Sequence, residues 1–308
     1  MNSVHYSFSG SACFTVLPLL LSKMLIKIQW EDSKEELPLK VYTHNIRYSA
    51  KHLSDGEKSW ETRKHLVASS IEFNTFNQTA IVCLQEVLHN QLLDLLELLG
   101  KDWTYCGVGR NDGGSKGEYA PILYRKHQFT VEMNRTFWLS ETPDFPSRGW
   151  DAASIRIVNA ALFSHNTSGR VLYMLNTHLD DQGVKARVKG AELIKDIIMS
   201  LQNHDALILC GDMNSEHDEE AYSVFAEFLK DSSKQVISKS RYGNSSTFTG
   251  FKNNDKKEID YIFVHDGVQV SSYGVLGNRF DDDVFSSDHR PVVANLVILN
   301  RQKGLRCN

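Results

Sequence analysis

The 308-residue chain lacks an excess of positive charge: 34 Lys and Arg stand against 38 Asp and Glu, a formal net charge of −4. A global positive field of the kind that draws a protein to polyanions is excluded, so any phosphate must be met by local groups. Cysteine is scarce. Cys13, Cys83, Cys106, Cys210 and Cys307 form an odd, widely spaced set with no CxxC pair, which excludes a disulfide framework and a thiolate zinc site as organising features. Cys83 and Cys210 sit inside the apolar runs AIVCLQ and ALILCGD and read as buried, reduced thiols, so a cytoplasmic setting is the default. There is no long hydrophobic stretch. Residues 14–26 are apolar but broken by Ser22 and Lys23 and preceded by no Lys or Arg, too short and too interrupted for a stable membrane span. They leave secretion or membrane association open, and residues 1–38 read as an N-terminal extension, either disordered or a weak targeting segment.

With only 6 Pro, 19 Gly and no repeat or low-complexity tract, nothing divides the remainder, and 41% hydrophobic residues suffice for a substantial core. One domain is expected over 39–300, with a short tail at 301–308. Strands are expected at 39–45, 79–85, 103–108, 121–124, 129–134, 155–163, 170–177, 206–211, 259–265, 268–275 and 292–299. The clearest helix is 184–201, where Val188, Ala191, Ile194, Ile198 and Leu201 recur at three- and four-residue steps. Further helices are expected at 61–73, 90–99 and 221–229. Many strands with few helices point to two sheets packed face to face with helices outside.

Apolar strands repeatedly end in an acid, amide or histidine: Asn45 in THNIR, Glu86 in LQEV, His178 in NTHLD, Asp212 and Asn214 in GDMNS, Asp260 in EIDYIFV, and Asp288 with His289 in SDHRP. Each alone reads equally well as a turn or cap residue. As a set meeting at one rim, they would bring Glu86, Asp212, Asp260 and Asp288 into one cleft, where like charges require a compensating cation. Oxygen ligands favour magnesium, with manganese as a substitute, over zinc. If the strand persists past Asp212, then Asp212 and Asn214 project from one face, the first taking a proton from an attacking water and the second stabilising charge on phosphorus oxygens. Asp260 or Asp288 would keep His289 protonated.

This series resembles the endonuclease/exonuclease/phosphatase superfamily, the deoxyribonuclease-I-like fold, in the right order from about Leu39 to Val297. The resemblance implies a four-layer α/β sandwich, two mostly antiparallel sheets flanked by helices, and magnesium-dependent phosphoester hydrolysis. It implies Glu86 as principal metal ligand, Asn45 as a metal-side or phosphate contact, Asp288 on the metal side, His178 as a phosphate-stabilising histidine and Asp260 as the group orienting His289. Arg47 stands where abasic-site endonucleases often carry a second acid, which weakens a DNA-repair reading. The segments 107–126 and 136–157 look like a microbial branch more similar to the carbon-catabolite-repressor deadenylases and nocturnin than to sphingomyelinases. Within them Arg110 and Lys116 are candidates for phosphate, Trp138 and Trp150 for stacking on a base or sugar, and Glu118 and Arg156 for weaker contacts.

The expected function is therefore a divalent-metal-dependent phosphoester hydrolase, first a 3′-to-5′ RNA exonuclease. A phosphatase or phosphodiesterase acting on a nucleotide, inositol phosphate or sugar phosphate is the alternative, which the acidic balance favours. A scaffold that has lost its chemistry is the third reading. RNA or a nucleotide is the expected partner, and no obligate protein partner is expected.

Overall fold

Strand β2 (Ala80–Gln85) explains why sheets form here. Its residues are all buried, Ile81 and Cys83 pointing one way and Val82 and Leu84 the other. Side chains alternate along a strand, so an unbroken apolar run is one covered on both faces. Ile81 and Cys83 join Leu39 and Val41 of β1 (Leu37–Asn45) and Ile208 and Cys210 of β8 (Ala206–Asp212) in the core between two sheets. Val82 and Leu84 pack outward on Val67 and Ile71 of α1 (Trp60–Thr75) and Leu92 and Leu95 of α2 (His89–Leu99). Across the molecule, Leu207 and Leu209 of β8 face Ala191 and Ile194 of α3 (Val184–Ser200) and Phe225 of α4 (Glu220–Ala226). Cutting any of these buried leucines to alanine costs about 2–5 kcal/mol.

These residues belong to a computed structural model that describes residues 35–300; the apolar run 14–26 and the tail 301–308 lie outside the described residues. The seven-stranded sheet has the order β10 (Arg241–Gly243), β12 (Val268–Val275), β13 (Val292–Ile298), β1, β2, β4 (Ile122–Arg125), β3 (Trp103–Cys106). The six-stranded sheet has the order β5 (Phe129–Trp138), β6 (Ile157–His165), β7 (Val171–His178), β8, β11 (Asp260–Val264), β9 (Lys230–Asp231). Among the described strands only β1/β2, β7/β8 and β10/β12 run parallel. The architecture is thus a four-layer α/β sandwich of two mostly antiparallel sheets. No helix among the described residues is long and apolar enough to cross a membrane.

Most boundaries fall within a few residues of expectation, and the exceptions have local causes. β3 stops at Cys106 because Gly107 adopts φ 119° and the place its Cβ would take lies 2.1 Å from Asn159 Nδ2. β5 continues to Trp138 through a register shift between Val131 and Met133 that breaks the alternation. The two- and three-residue strands β9 and β10 carry no apolar run from which to read them. Cys83, Cys106 and Cys210 are free and buried.

Candidate active site

Topology delivers the polar strand ends to one place. β1 and β2 are parallel and end at Asn45 and Gln85, and β7 and β8 are parallel and end at His178 and Asp212, which lie opposite each other. β11 runs antiparallel to β8 and starts at Asp260, opposite Asp212. β13 runs antiparallel to β1, with Val292 opposite Thr43, so the segment before it returns Asp288 and His289 to the same rim. The resulting cleft, of about 440 Å³, is lined by Glu86, His178, Asp212, Asn214, Asp288 and His289 together with Arg47, Tyr48, Arg110, Glu118, Arg156 and Asp181.

At one end three nitrogens surround Asp212 Oδ2. Asn45 Nδ2 donates to it at 2.9 Å, and His178 Nε2 and His289 Nε2 stand 3.5 and 3.6 Å away. Asp260 Oδ2 takes the other side of His289, 2.9 Å from Nδ1. Burial and the neighbouring Asp260 charge push Asp212 up to about 7. Burial opposes charge on His289, but Asp260 and Asp212 outweigh it and raise the imidazole to about 10. His178 moves the opposite way, held neutral by burial and by the Arg156 and Arg110 guanidiniums. A protonated imidazole between two carboxylates and a neutral one beside them are two different tools in one wall.

The turn after Asp212 corrects one expectation. The strand does not persist to Asn214, which takes φ 44°, and its backbone N–H donates to Asp212 Oδ1 at 2.9 Å. Both hydrogens of the Asn214 amide are committed, one to Leu179 O at 3.0 Å and one to His178 Nε2 at 3.1 Å. Asn214 therefore orients His178 here and has no amide hydrogen left for a phosphate oxygen. A turn residue and a site residue are the same residue.

The other end of the cleft gathers like charge. Glu86 follows β2 in a left-handed conformation, φ 59°, and so does Arg47 after β1, φ 57°, a backbone state that non-glycine residues hold only when their surroundings fix it. Glu86 Oε1 accepts from Asn45 Nδ2 at 3.1 Å and Oε2 from the Tyr48 backbone N–H at 3.1 Å. Burial and Glu86 raise the Asp288 carboxyl, and burial and Glu86 also raise Glu118. The Arg47 guanidinium is 3.9 Å from Glu86 Oε2, too long for a hydrogen bond.

Of the residues expected to meet substrate, Arg110 and Arg156 line the cleft. Arg110 forms a two-pronged pair with Glu118 at 2.8 and 2.9 Å, and Arg156 reaches Asp180 at 3.2 Å and Asp181 at 2.7 Å. Trp138 does not line it: the residue is 6% exposed, and its indole N–H donates to Arg110 O at 2.7 Å, bracing the loop from behind. Trp150, at φ 48°, and Lys116 also lie outside the lining.

Several supporting residues escaped sequence reasoning. Arg63 of α1, fully buried, donates from Nη1 to Ile46 O and Ser286 O, both at 2.8 Å, and from Nη2 to Arg47 O at 3.2 Å. Ser287 Oγ donates to Asn45 O at 2.6 Å. His44, one residue before Asn45, sits 3.2 Å from His289 O through Nε2, and burial drops it to about 3. Gln85 Nε2 donates to Asn176 Oδ1 at 2.7 Å beneath the cleft, joining the sheets. The last pair had a readable signal, since both amides share the strand parity of inward-facing apolar residues.

The geometry agrees with comparisons to known proteins. The model of the Endonuclease/Exonuclease/phosphatase family matches residues 42–289. Human nocturnin is 25% identical over 273 residues, 80% of this chain; the match spans only 60% of that protein's length. A family protein of Bacteroides thetaiotaomicron superposes with TM-score 0.79 at 33% identity, over 86% of this chain and 99% of that one. The mannosyl-6-phosphatase of the same organism superposes with TM-score 0.76 at 34% identity, over 84% of this chain and 99% of that one. A motif series in order, a matching sandwich and a family match across most of the described residues lead to one assignment: this chain belongs to the endonuclease/exonuclease/phosphatase family, whose members hydrolyse phosphoesters.

Proposed function

We propose that this protein is a divalent-metal-dependent phosphatase acting on a small phosphorylated molecule. The observation that carries the reading is the cleft itself: a relay of Asp260, His289 and Asp212 at one end, the Glu86 and Asp288 carboxylates at the other, and three guanidiniums around a space of about 440 Å³. The 34% identity to a mannosyl-6-phosphatase supports a small substrate.

Glu86 and Asp288, with Asn45 between the two ends, fit a hard cation bound through oxygen, because their mutual repulsion is what such an ion relieves. Asp212, Asp260 and His289 also place donor atoms within 4.8 Å of one another. They fit a cation less well, since a protonated His289 has no lone pair to offer. When bound, magnesium supplies Lewis acidity at a phosphate oxygen. Asp212 takes the proton of the attacking water, a role suited to a carboxylate with a value near neutral pH. His289, fixed by Asp260, donates from Nε2 to an equatorial phosphate oxygen as charge develops there. Asn45 holds Glu86 and Asp212 in register through one amide nitrogen. His178, set by Asn214, and Arg47, Arg110 and Arg156 complete the positive surround.

The test is a substrate panel with purified protein. Inorganic phosphate should be released from sugar or nucleotide monophosphates with magnesium or manganese and not with chelator. Shortening of oligo(A) with no phosphate release from any monoester would instead favour the second reading, the 3′-to-5′ RNA exonuclease implied by the resemblance to the deadenylase group. Activity on neither would reject hydrolysis and favour the scaffold reading.

A further inference from the structure

We infer that Glu118 and Asp181 read the hydroxyl groups of the leaving molecule, so that the preferred substrate carries one phosphate on a neutral, multiply hydroxylated ring; this rests on the phosphatase reading above. The chemistry poses a contradiction that needs resolving. A pocket for a phosphate dianion gains from every cation, yet Glu118 is set into its wall, 16% exposed, where burial and the charge of Glu86 already disfavour its ionised form. Burying an acid beside an anion site weakens phosphate binding unless the acid has a partner of its own.

Both acids are presented the same way. Arg110 grips Glu118 with both terminal nitrogens, and Arg156 holds Asp181 at 2.7 Å while its Nε is fixed on Asp180. A carboxylate oxygen has two lone-pair sites, so each acid keeps acceptor capacity after pairing. Next to each stands an arginine, a pure donor. An alternation of fixed acceptors and donors is what vicinal hydroxyls, each both donor and acceptor, can satisfy, and what a featureless or apolar group cannot.

The Arg110–Glu118 unit is rigid. Arg110 N–H donates to Glu118 O and Asn111 N–H to Lys116 O, both at 3.0 Å, closing residues 107–119 into a tight loop. At Gly109 a Cβ would lie 2.4 Å from Lys116 O, so the loop closes only around glycine. The Arg110 Nε is buried and has no hydrogen-bond partner, a donor that the loop's own acceptors leave unsatisfied.

Acids also guard the approach. Beyond Asn214, Phe248 and His289 a second compartment of about 540 Å³ opens, lined by Glu216, Asp218, Glu219 and Asp255 against Arg187 and Lys257. Acids outnumber cations in this compartment, so it disfavours a further phosphate, which a polynucleotide carries on every residue and a ring monophosphate lacks. Two half-buried aromatic rings reach the cleft: the Arg47 guanidinium lies over one face of Tyr48, 4.2 Å from its centroid, and Phe248 meets His289 edge to face at 4.9 Å.

The experiment measures kcat/KM with magnesium for a hexose 6-phosphate, a hexose 1,6-bisphosphate and p-nitrophenyl phosphate, in wild type, Glu118→Gln and Asp181→Asn. Asp181 is 49% exposed, so its variant tests the idea even if the Glu118 variant fails to fold. Wild type should prefer the hexose monophosphate. Each variant should lower the ratio of hexose 6-phosphate to p-nitrophenyl phosphate about 10-fold, the scale of a lost hydrogen bond to a charged group. Each should also raise the ratio of bisphosphate to monophosphate, because an acid facing the second phosphate is gone. Equal losses on all three substrates would make the acids structural and overturn the inference. No hydrolysis of any monoester by wild type would overturn the phosphatase reading instead.

Discussion

The two ends of the cleft handle buried charge in opposite ways. At the Asp212 end opposite charges alternate: Asp260, imidazolium, Asp212, all buried and joined by contacts of 2.9 to 3.6 Å. At the Glu86 end burial and the Glu86 charge raise the Asp288 carboxyl, and the Arg47 guanidinium stands 3.9 Å from Glu86. The first arrangement is complete within the protein and is built on folding. The second would be completed by a bound cation. On the function proposed above, proton handling is preorganised, whereas phosphate activation would be conditional on that cation.

The sharpest way to break this contrast is to remove the ion. With chelator, hydrolysis should fall to background and the thermal midpoint should also drop, both returning with excess magnesium; binding at 100 times Kd contributes about 2.7 kcal/mol. A chelated protein that keeps full activity would mean the Glu86 end needs no cation. Next, Asp212→Ala and His289→Ala should each lose on the order of 10²-fold or more in kcat while circular dichroism stays native, and near-normal turnover in either would dissolve the relay. Glu86→Gln should act through the metal, raising the magnesium concentration for half-maximal rate about 10-fold; a pure kcat loss at unchanged magnesium demand would put Glu86 on the proton-handling side.

The smallest effect sharpens the contrast through a satisfied acid. Burial opposes the charge of Asp180, yet N–H groups of Ala153, Gly183 and Ser154 and the Arg156 guanidinium pull it down to about 2. A lowered carboxylate adds stability above its unfolded value near 3.8 and loses that contribution as pH falls through about 2. Asp180→Asn should thus lower the thermal midpoint at pH 7 by a few °C, on the order expected for one lost anion nest, with the gap to wild type closing between about pH 4 and pH 2. A gap constant across that range would mean the asparagine fails for reasons of shape.

What sequence made legible was what depends on the local chain. Strand β8 is readable because LILC is apolar at every position, and Asp212 because that run stops at an acid. The same logic located Asn45, Glu86 and His178. It misjudged Asn214, because persistence of a strand is a tertiary outcome, and here the Asp212 carboxylate captures the Asn214 N–H and turns the chain. It placed Trp138 at the substrate because aromaticity does not say which side of a loop a ring occupies. Arg63 was invisible: in WETRKHL it looks like any solvated helix charge, and it becomes buried only when a segment 223 residues later lays Ser286 O against its guanidinium.

That last contact joins chain segments far apart in sequence. Arg63 and Ser287 tie the loop after the first described strand to the segment leading into the last. A ribosome exposes Asn45, Glu86 and Asp212 well before it delivers the chain that fastens them, so a growing polypeptide holds these groups without a working centre. The rim of strand ends is complete only when β13 has docked beside β1 and brought Asp288 and His289 with it.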